Sequence, residues 1–316
     1  MNTGMISGPA DLSSEYPELI DLVAGFGGER LELGTIFKER TGFRIKALNK
    51  KKILYLKLSQ PVLKTMLLPG ELIRYVSMGT LVWSVEMLVS GHWASYGNFT
   101  TIILTNQRFI FLNVDTKGKP RGMLYSQLKL SALKNISSGL LGGIKLNPVS
   151  GKARQFQGVN KRDAKNLKSL IEEISAGAAG MVSTGLESPG LEHLCPYCFS
   201  PVPDQTFLCQ KCGTTFRTPK QAAIRSLILP GWGDFYLQNK VVGGMKMFGM
   251  GMVYLILLGS LFAEAPGKAM EVVIPLVFIL ILVSGLNALA TLVIAKKGLV
   301  PLQKGTGLGA TSHPIN

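Results

Sequence analysis

Residues Thr100–Val114, T-T-I-I-L-T-N-Q-R-F-I-F-L-N-V, contain two runs rich in β-branched and aromatic side chains that meet at Asn106-Gln107. Runs of this composition favour strands, and a polar pair between two such runs is typical of a turn. The stretch therefore predicts two strands joined by a hairpin-like corner, and it places a β-rich domain near the middle of the chain.

Further short strands are predicted on both sides of this corner. With the two strands of the corner itself, they are Glu71–Met78, Ser84–Gly91, Thr100–Leu104, Arg108–Val114, Leu124–Leu130, Ile144–Asn147 and a segment near Gln155–Val159. Asn160–Ser175 follows them with leucine and isoleucine at helical spacing, and Asn160 is its candidate N-cap. Seven short strands followed by one helix predict a pleckstrin-homology-like (PH-like) β-barrel with a C-terminal helix.

The segment Leu104-Thr-Asn-Gln-Arg-Phe-Ile-Phe111 resembles the L-T-N-x-R-hydrophobic run of bacterial PH-like and GRAM-like domains. This resemblance implies a domain that binds lipids or proteins rather than an enzyme. It also implies that Lys117, Lys119 and Arg121, in the turn D-T-K-G-K-P-R, present a basic binding loop. A flexible, solvated turn is the alternative interpretation of these three side chains.

All four cysteines lie in two C-x-x-C pairs, Cys195-Pro-Tyr-Cys198 and Cys209-Gln-Lys-Cys212. Each pair can form a knuckle that points two thiolates at one ion, and two knuckles supply the four sulfurs that tetrahedral Zn²⁺ takes in a closed structural site. The pattern looks like a zinc ribbon and predicts one structural Zn²⁺ ion. A redox dithiol is the alternative, although such motifs come singly and within a βαβ frame.

The predicted ribbon has a structural or a docking role, because four protein ligands leave no open position for a catalytic water. Its surroundings mix aromatic and basic side chains. The three nearby positive charges, on Lys211, Arg217 and Lys220, are too few to argue for nucleic acid.

Residues 272–295, VVIPLVFILILVSGLNALATLVIA, carry no charge, and a bilayer core needs about 20 apolar residues in a helix. Residues 241–263 form a second candidate span, in which Lys246 lies near one end and can extend to the interface. Glu264–Glu271 would join the two as a transmembrane hairpin. Because lysine and arginine flank the outer ends of the hairpin, both chain termini are predicted to face the cytoplasm at the inner membrane.

The stretch before the first span, Leu227-Ile-Leu-Pro-Gly-Trp-Gly-Asp-Phe-Tyr-Leu237, is too short to cross a bilayer and is broken by proline and glycine. It predicts an interfacial or re-entrant turn with Trp232 and Tyr236 at headgroup level. The glycine-containing turn that ends in Phe-Tyr-Leu resembles the small two-transmembrane-helix domain family of bacteria. The charged pair usual before Phe-Tyr in that family is here Gly233-Asp234, and the resemblance implies a hairpin without a particular chemistry.

The chain is basic, with 34 lysines and arginines, 19 acidic residues and a formal net charge of +15. This charge suits anionic lipid headgroups or nucleic acid, and a solvated surface is the plain alternative. No signal peptide is predicted in Met1–Glu18, which lacks an apolar run. Glu15–Ala24 predicts a short amphipathic helix. Phe43–Lys57 contains basic residues interleaved with apolar ones. This pattern predicts either a segment that lies on a membrane surface or an edge strand or surface helix of the adjoining domain.

The predicted organisation has seven parts. In chain order these are an N-terminal segment, the PH-like domain, a linker, the zinc ribbon, an interfacial segment, the transmembrane hairpin and a flexible tail, at residues 1–60, 61–177, 178–192, 193–218, 219–240, 241–297 and 298–316.

Motifs for catalysis are not found in the sequence. The three histidines are scattered, and there is no G-x-S-x-G elbow and no dinucleotide fingerprint after a strand. The sequence therefore predicts a non-enzymatic, membrane-anchored adaptor that faces the cytoplasm, docks a lipid or a protein, and self-associates through its hairpin. A pore or transporter subunit and a membrane-tethered nucleic-acid binder are the alternatives.

Overall fold

The structure, a computed structural model, describes residues 9–39, 42–81, 97–139, 143–177, 190–203, 205–263 and 269–303. The chain forms two compact units, the first from residues 1–81 and 98–201 and the second from residues 82–97 and 202–316. The predicted strand Ser84–Gly91 and most of the predicted linker at 178–192 lie outside the described residues.

The first unit contains a large antiparallel sheet with nine strands among the described residues. They are β1 (Ile73–Leu81), β2 (Phe99–Thr105), β3 (Arg108–Asn113), β4 (Ser126–Lys129), β5 (Leu133–Ser138), β6 (Gly143–Pro148), β7 (Arg154–Gln157), β8 (Leu191–Leu194) and β9 (Pro201–Val202). Their order across the sheet is β5-β6-β7-β1-β2-β3-β4-β8-β9. β2 and β3 pair from Thr100 opposite Asn113 to Leu104 opposite Phe109, which confirms the hairpin expected in this stretch.

Three strands of the sheet, β5, β8 and β9, are not among the predicted strands. β5 is not predicted, because its residues L-K-N-I-S-S are mostly polar and Ile136 is their buried side chain. Such a composition suits a strand at the end of the strand order, where the described residues provide a partner on one side only. The order has two ends, at β5 and β9, so the structure establishes a large antiparallel sheet with helices. Closure into a PH-like barrel stays a prediction.

The helices α1 (Pro9–Glu15), α2 (Glu18–Gly25), α3 (Leu33–Ile36) and α4 (Ile45–Met66) precede the sheet in the chain. Leu56 and Leu63 of α4 belong to the same buried cluster as Val76 of β1. α4 thus runs across the predicted boundary between residues 60 and 61 and buries its apolar face in the core of the following domain. Of the basic segment Phe43–Lys57, all but the first two residues accordingly belong to a surface helix of that domain.

α5 (Lys161–Gly177) follows the strand β7 and confirms the predicted C-terminal helix. The side chain of Asn160 accepts a hydrogen bond from the Arg162 amide at 3.0 Å. Because this bond satisfies one of the first free N–H groups of the helix, Asn160 is the N-cap that the sequence predicts.

The second unit consists of α6 (Pro219–Ile228), α7 (Trp232–Tyr236), α8 (Lys240–Ala263), α9 (Ala269–Ala295) and the small pair β10 (Thr215–Phe216) and β11 (Pro301–Gln303). β11 lies within the predicted flexible tail at 298–316, and these three residues, 301–303, are paired with β10. The Arg217 amide also donates to the Val300 carbonyl at 2.9 Å, and its Nε donates to the Pro301 carbonyl at 3.1 Å.

One helix of the described residues is long and apolar enough to cross a membrane. It is the Ile274–Ala295 part of α9, 22 residues with a mean hydropathy of 2.6, and 28% of its most apolar window is buried. Phe278 and Ile281 are each 66% exposed. Residues 241–263 are also helical, as α8, but they are not identified as a span. The two-span hairpin therefore stays a prediction.

Candidate metal centre

The first cysteine knuckle is held by its own backbone. The Cys195 amide donates to the Ser200 carbonyl at 3.0 Å, and the Phe199 amide donates back to the Cys195 carbonyl at 2.9 Å. Phe199 has a φ of +57°, a left-handed conformation that reverses the chain directly after Cys198. These bonds fold Cys195–Ser200 into a tight turn with both thiols on it.

The second knuckle repeats this pattern position by position. The Cys209 amide donates to the Thr214 carbonyl, and the Gly213 amide donates to the Cys209 carbonyl, both at 2.8 Å. Gly213, with a φ of +69°, stands where Phe199 stands in the first knuckle. The Cys212 Sγ also lies 3.1 Å from the Thr214 hydroxyl. Two copies of one turn therefore present two thiols each.

The four thiols lie together. The Sγ atoms of Cys195, Cys198, Cys209 and Cys212 are all within 4.8 Å of one another, and none of the four cysteines is in a disulfide bond. Zn–S bonds of about 2.3 Å in a tetrahedron place sulfur atoms about 3.8 Å apart, so the cluster has the size that such an ion requires. The four cysteines that the sequence predicts as ligands thus lie together in space, and the cluster could hold one metal ion.

Aromatic packing secures the first knuckle to the sheet of its own unit. The Phe199 ring stacks on Tyr125 with ring centroids 6.5 Å apart. The preceding strand β8 pairs with β4, and the Leu194 amide donates to the Tyr125 carbonyl at 2.9 Å. The first pair of thiols therefore lies directly after β8, a strand of this sheet that pairs with β4.

The predicted basic loop is an ordered turn between β3 and β4. The Asp115 carboxylate accepts hydrogen bonds from the backbone amides of Lys117 and Lys119, each at 2.9 Å, and these bonds close the turn. Lys117 and Lys119 are exposed, whereas Arg121 is half-buried. Burial lowers the pKa of Arg121, and Asp115 partly offsets this effect. The turn therefore presents two lysines fully to solvent and Arg121 in part, and a binding role for the three side chains stays a prediction.

The L-T-N-x-R motif forms a buried lock at the corner between β2 and β3. The Arg108 guanidinium holds the Glu71 carboxylate through two bonds of 2.8 Å and donates to the Met66 carbonyl at 2.7 Å. The Thr105 hydroxyl lies 2.8 Å from the same carboxylate and accepts the Arg108 amide at 3.0 Å. Asn106 ties the corner to the chain before β1, because it accepts the Leu72 amide at 2.9 Å.

Burial favours the neutral form of Glu71, but hydrogen bonds from Arg108, the Leu68 amide and Thr105 outweigh it, so the pKa of Glu71 lies below its ordinary value. The motif is visible in the sequence, whereas its partner Glu71 is not, since a lone glutamate before a strand carries no pattern. The structure thus gives the motif a structural role.

The two side chains of the turn before α8 that are predicted at headgroup level differ in exposure. Trp232 is exposed by 42%, but Tyr236 is buried at 5%. The Tyr236 hydroxyl donates to the Gln221 side chain, and the Arg225 guanidinium lies 4.1 Å from its ring centroid. Lys246, which is predicted to extend to the interface, pairs with the buried Asp234 carboxylate at 2.9 Å.

No family model matches the chain, and no curated protein matches it. Among solved structures it is similar to the N-terminally truncated linker-DH/PH domains of p115-RhoGEF, at 11% identity and a TM-score of 0.28, over 55% of this chain and 44% of that one. A mutant of the DH/PH domains of the same protein gives 13% identity and a TM-score of 0.26, over 55% and 46%. The chain thus spans less than half the length of these structures, and at such TM-scores the likeness carries no argument.

Proposed function

We propose that the protein is a non-enzymatic, membrane-anchored binding protein that faces the cytoplasm and docks a lipid or a protein partner. The observation that carries this proposal is the apolar surface of α9, where Phe278, Ile281 and Leu289 are more than half exposed. Soluble monomers rarely expose large contiguous apolar patches, since water contact with them is unfavourable. α9 is the anchor, and self-association of the chain would occur through it and α8.

The metal centre supports a role in presentation rather than in chemistry. We assign Zn²⁺ to the four thiolates, because soft sulfur ligands in a tetrahedral set favour it among the common divalent ions. A bound ion with four protein ligands has no open position for a substrate. The Phe199 ring, stacked on the buried Tyr125, would then hold the first knuckle in a fixed position for a partner.

The anchor is tested by extraction of membranes from cells that express the full chain. The wild-type chain is expected to stay in the membrane pellet after alkaline carbonate treatment. The variant Ile281→Arg should be released, because an arginine at the centre of a span costs about 2.5–3.5 kcal/mol on insertion scales. Lys145→Arg, on an exposed position of β6, is the matched control and should stay in the pellet. A wild-type chain that is extracted with the peripheral proteins would refute the anchor.

The metal is tested by elemental analysis of the purified chain. One zinc ion per chain is expected. The variants Cys198→Ser and Cys212→Ser should each lose this ion, and each should also lose the binding of a partner to the region around the four cysteines. Ser137→Ala, an exposed hydroxyl on β5, should keep it. Zinc-free wild-type chain, purified without chelator and still fully folded, would contradict the assignment.

A further inference from the structure

The outer side of α4 is strongly basic. The helix contains six lysines and no acidic residue in 22 positions. Lys52 is buried, and the other five are exposed; together they are the lysine face, Lys46, Lys50, Lys51, Lys57 and Lys64. Because no carboxylate of the same helix offsets them, these charges attract anions rather than form i,i+4 ion pairs.

An apolar side chain stands in the middle of the lysine face. Leu54 is 45% exposed although it lies on a helix whose other face is fully packed. Its neighbours on the helix surface at i−4, i−3 and i+3 are Lys50, Lys51 and Lys57. Phe43, just before the helix, is 78% exposed, with the Arg44 guanidinium 4.9 Å from its ring.

The turn between β3 and β4 extends this surface. Gly118, at a φ of +92°, approaches α4 so closely that an added Cβ would lie 3.0 Å from the Tyr55 ring and 3.5 Å from a methyl of Leu58. The turn therefore packs against the side of α4 that is next to Lys51 on the helix. Lys117 and Lys119, exposed on this turn, add to the positive charge of the lysine face.

We propose that the lysine face of α4, with Lys117 and Lys119 of the adjacent turn, docks on an anionic lipid surface, into which Leu54 and Phe43 insert. Basic side chains around a few exposed apolar ones are the arrangement by which surface helices bind the boundary between headgroups and acyl chains. The inference rests on the proposed anchor, which keeps a bilayer within reach of the face. It adds a second contact that depends on lipid charge.

The lipid surface fits these observations better than nucleic acid does. A nucleic-acid groove gains from lysines that follow the phosphates and from aromatic rings that stack on bases. The exposed Phe43 ring suits either partner, but Leu54 is aliphatic and has lysines at i−4, i−3 and i+3. It gives nothing to a phosphate backbone and is favourable in an acyl layer. A bilayer uses the charges and the apolar side chain together.

The test uses the full chain reconstituted into nanodiscs of neutral phosphatidylcholine or of phosphatidylcholine with phosphatidylglycerol. Lysine acylation, followed by mass spectrometry, reports the modification rate at each position. In anionic discs the lysines of the face and of the turn should react at least about fivefold more slowly than in neutral discs. The protection should vanish in 1 M salt, where the Debye length is about 3 Å. Lys134, Lys145 and Lys165, exposed on β5, β6 and α5, should react equally in both discs.

A charge-reversed variant separates the surface from general charge effects. Lys50→Glu/Lys51→Glu/Lys57→Glu should abolish the protection of Lys46, Lys64, Lys117 and Lys119. The control Lys134→Glu/Lys145→Glu/Lys165→Glu changes the net charge by the same amount and should keep it. Unchanged amide exchange of β2 and β3 in both variants would show that the fold is retained.

The two proposals fail in different ways. A chain that does not incorporate into either disc would overturn the anchor. Incorporation with equal lysine rates in neutral and anionic discs would overturn the lipid surface and leave the anchor standing. Protection in neutral discs by an added single-stranded RNA, without protection by anionic lipid, would overturn it as well and assign the lysine face to nucleic acid.

Discussion

Replacement of Glu71 by glutamine tests the buried lock of the L-T-N-x-R motif. Glu71 is fully buried, and Arg108 is 7% exposed. The variant Glu71→Gln keeps the shape of the side chain but removes the charge that two guanidinium bonds of 2.8 Å and the Thr105 hydroxyl contact. Arginine cannot release its proton, so the change leaves a buried cation without its anion. Breaking a buried pair on one side costs about 3–5 kcal/mol.

The lock joins the chain before β1 to the corner between β2 and β3, so its loss should appear as local opening of these strands. Amide hydrogen exchange of peptides from β1–β3, measured in the full chain, reports this opening free energy directly. At about 1.4 kcal/mol per factor of ten, a cost of 3–5 kcal/mol raises the exchange rate by more than about a hundredfold. The matched control is Glu172→Gln, which removes the same charge from an exposed i,i+4 pair with Lys168. That pair is worth about 0.3–0.5 kcal/mol.

The same lock gives a dependence on pH. The pKa of Glu71 is lower in the folded chain than its ordinary value of 4.5. A lowered carboxyl pKa contributes stability that is fully present above the unfolded pKa and is lost as the pH falls through the folded pKa. Wild-type protection of β1–β3 should therefore decline below about pH 4.5, and the step contributed by Glu71 should be missing from Glu71→Gln. Equal exchange in Glu71→Gln and Glu172→Gln at pH 7 would refute the reasoning.

Three further substitutions test other parts of the structure. Lys52→Met leaves the buried Asp163 carboxylate without the ammonium group that lies 3.2 Å from it. In denaturant unfolding it should destabilise the first unit by about 3–5 kcal/mol. Lys57→Met, on the exposed side of α4, should change the unfolding free energy little. Gly233→Ala places a Cβ 2.2 Å from both the Ala222 carbonyl and the Ser226 hydroxyl and should cost about 1–3 kcal/mol in the thermal unfolding of the detergent-solubilised chain, whereas Gly249→Ala, with open space at its Cβ, should not. Lys246→Met removes the partner of Asp234, which is 1% exposed, and should lower the melting temperature by more than Lys240→Met; an equal shift in both would mean that the ion pair adds nothing to stability.

Local sequence patterns predict much of the β-sheet and of the metal centre. The hairpin β2–β3 has strong β-branched and aromatic runs, and α5 has both an amphipathic period and an N-cap, so short-range chemistry determines each of them. The cysteine cluster is predictable for the same reason, since a C-x-x-C spacing already brings two sulfurs to one turn. The spacing does not predict that the two turns lie next to each other, and the structure shows that they do.

Long-range contacts decide what the sequence does not predict. α4 is basic enough to be placed outside the domain, yet Leu56 and Leu63 recur at a spacing that buries one side of it in the core. β11 is three residues long and exists because residues far before it in the chain, at β10, offer backbone partners. Tyr236 is an interfacial residue by its chemistry, but Gln221 and Arg225 of the preceding helix satisfy it inside the second unit.

The lock at the β2–β3 corner also bears on where a ligand of the first unit is to be sought. The polar side chains of the motif form hydrogen bonds within the chain itself; they are Thr105, Asn106 and Arg108. Thr105 and Arg108 are also buried. A residue whose donors are already engaged can bind a ligand only by giving up those bonds, and at a buried ion pair this costs several kcal/mol. The motif that resembles PH-like and GRAM-like domains therefore explains how the corner folds rather than what the domain binds. Binding must use side chains that project outward, and the exposed lysines of α4 and of the neighbouring turn have the charge and the apolar centre to do so.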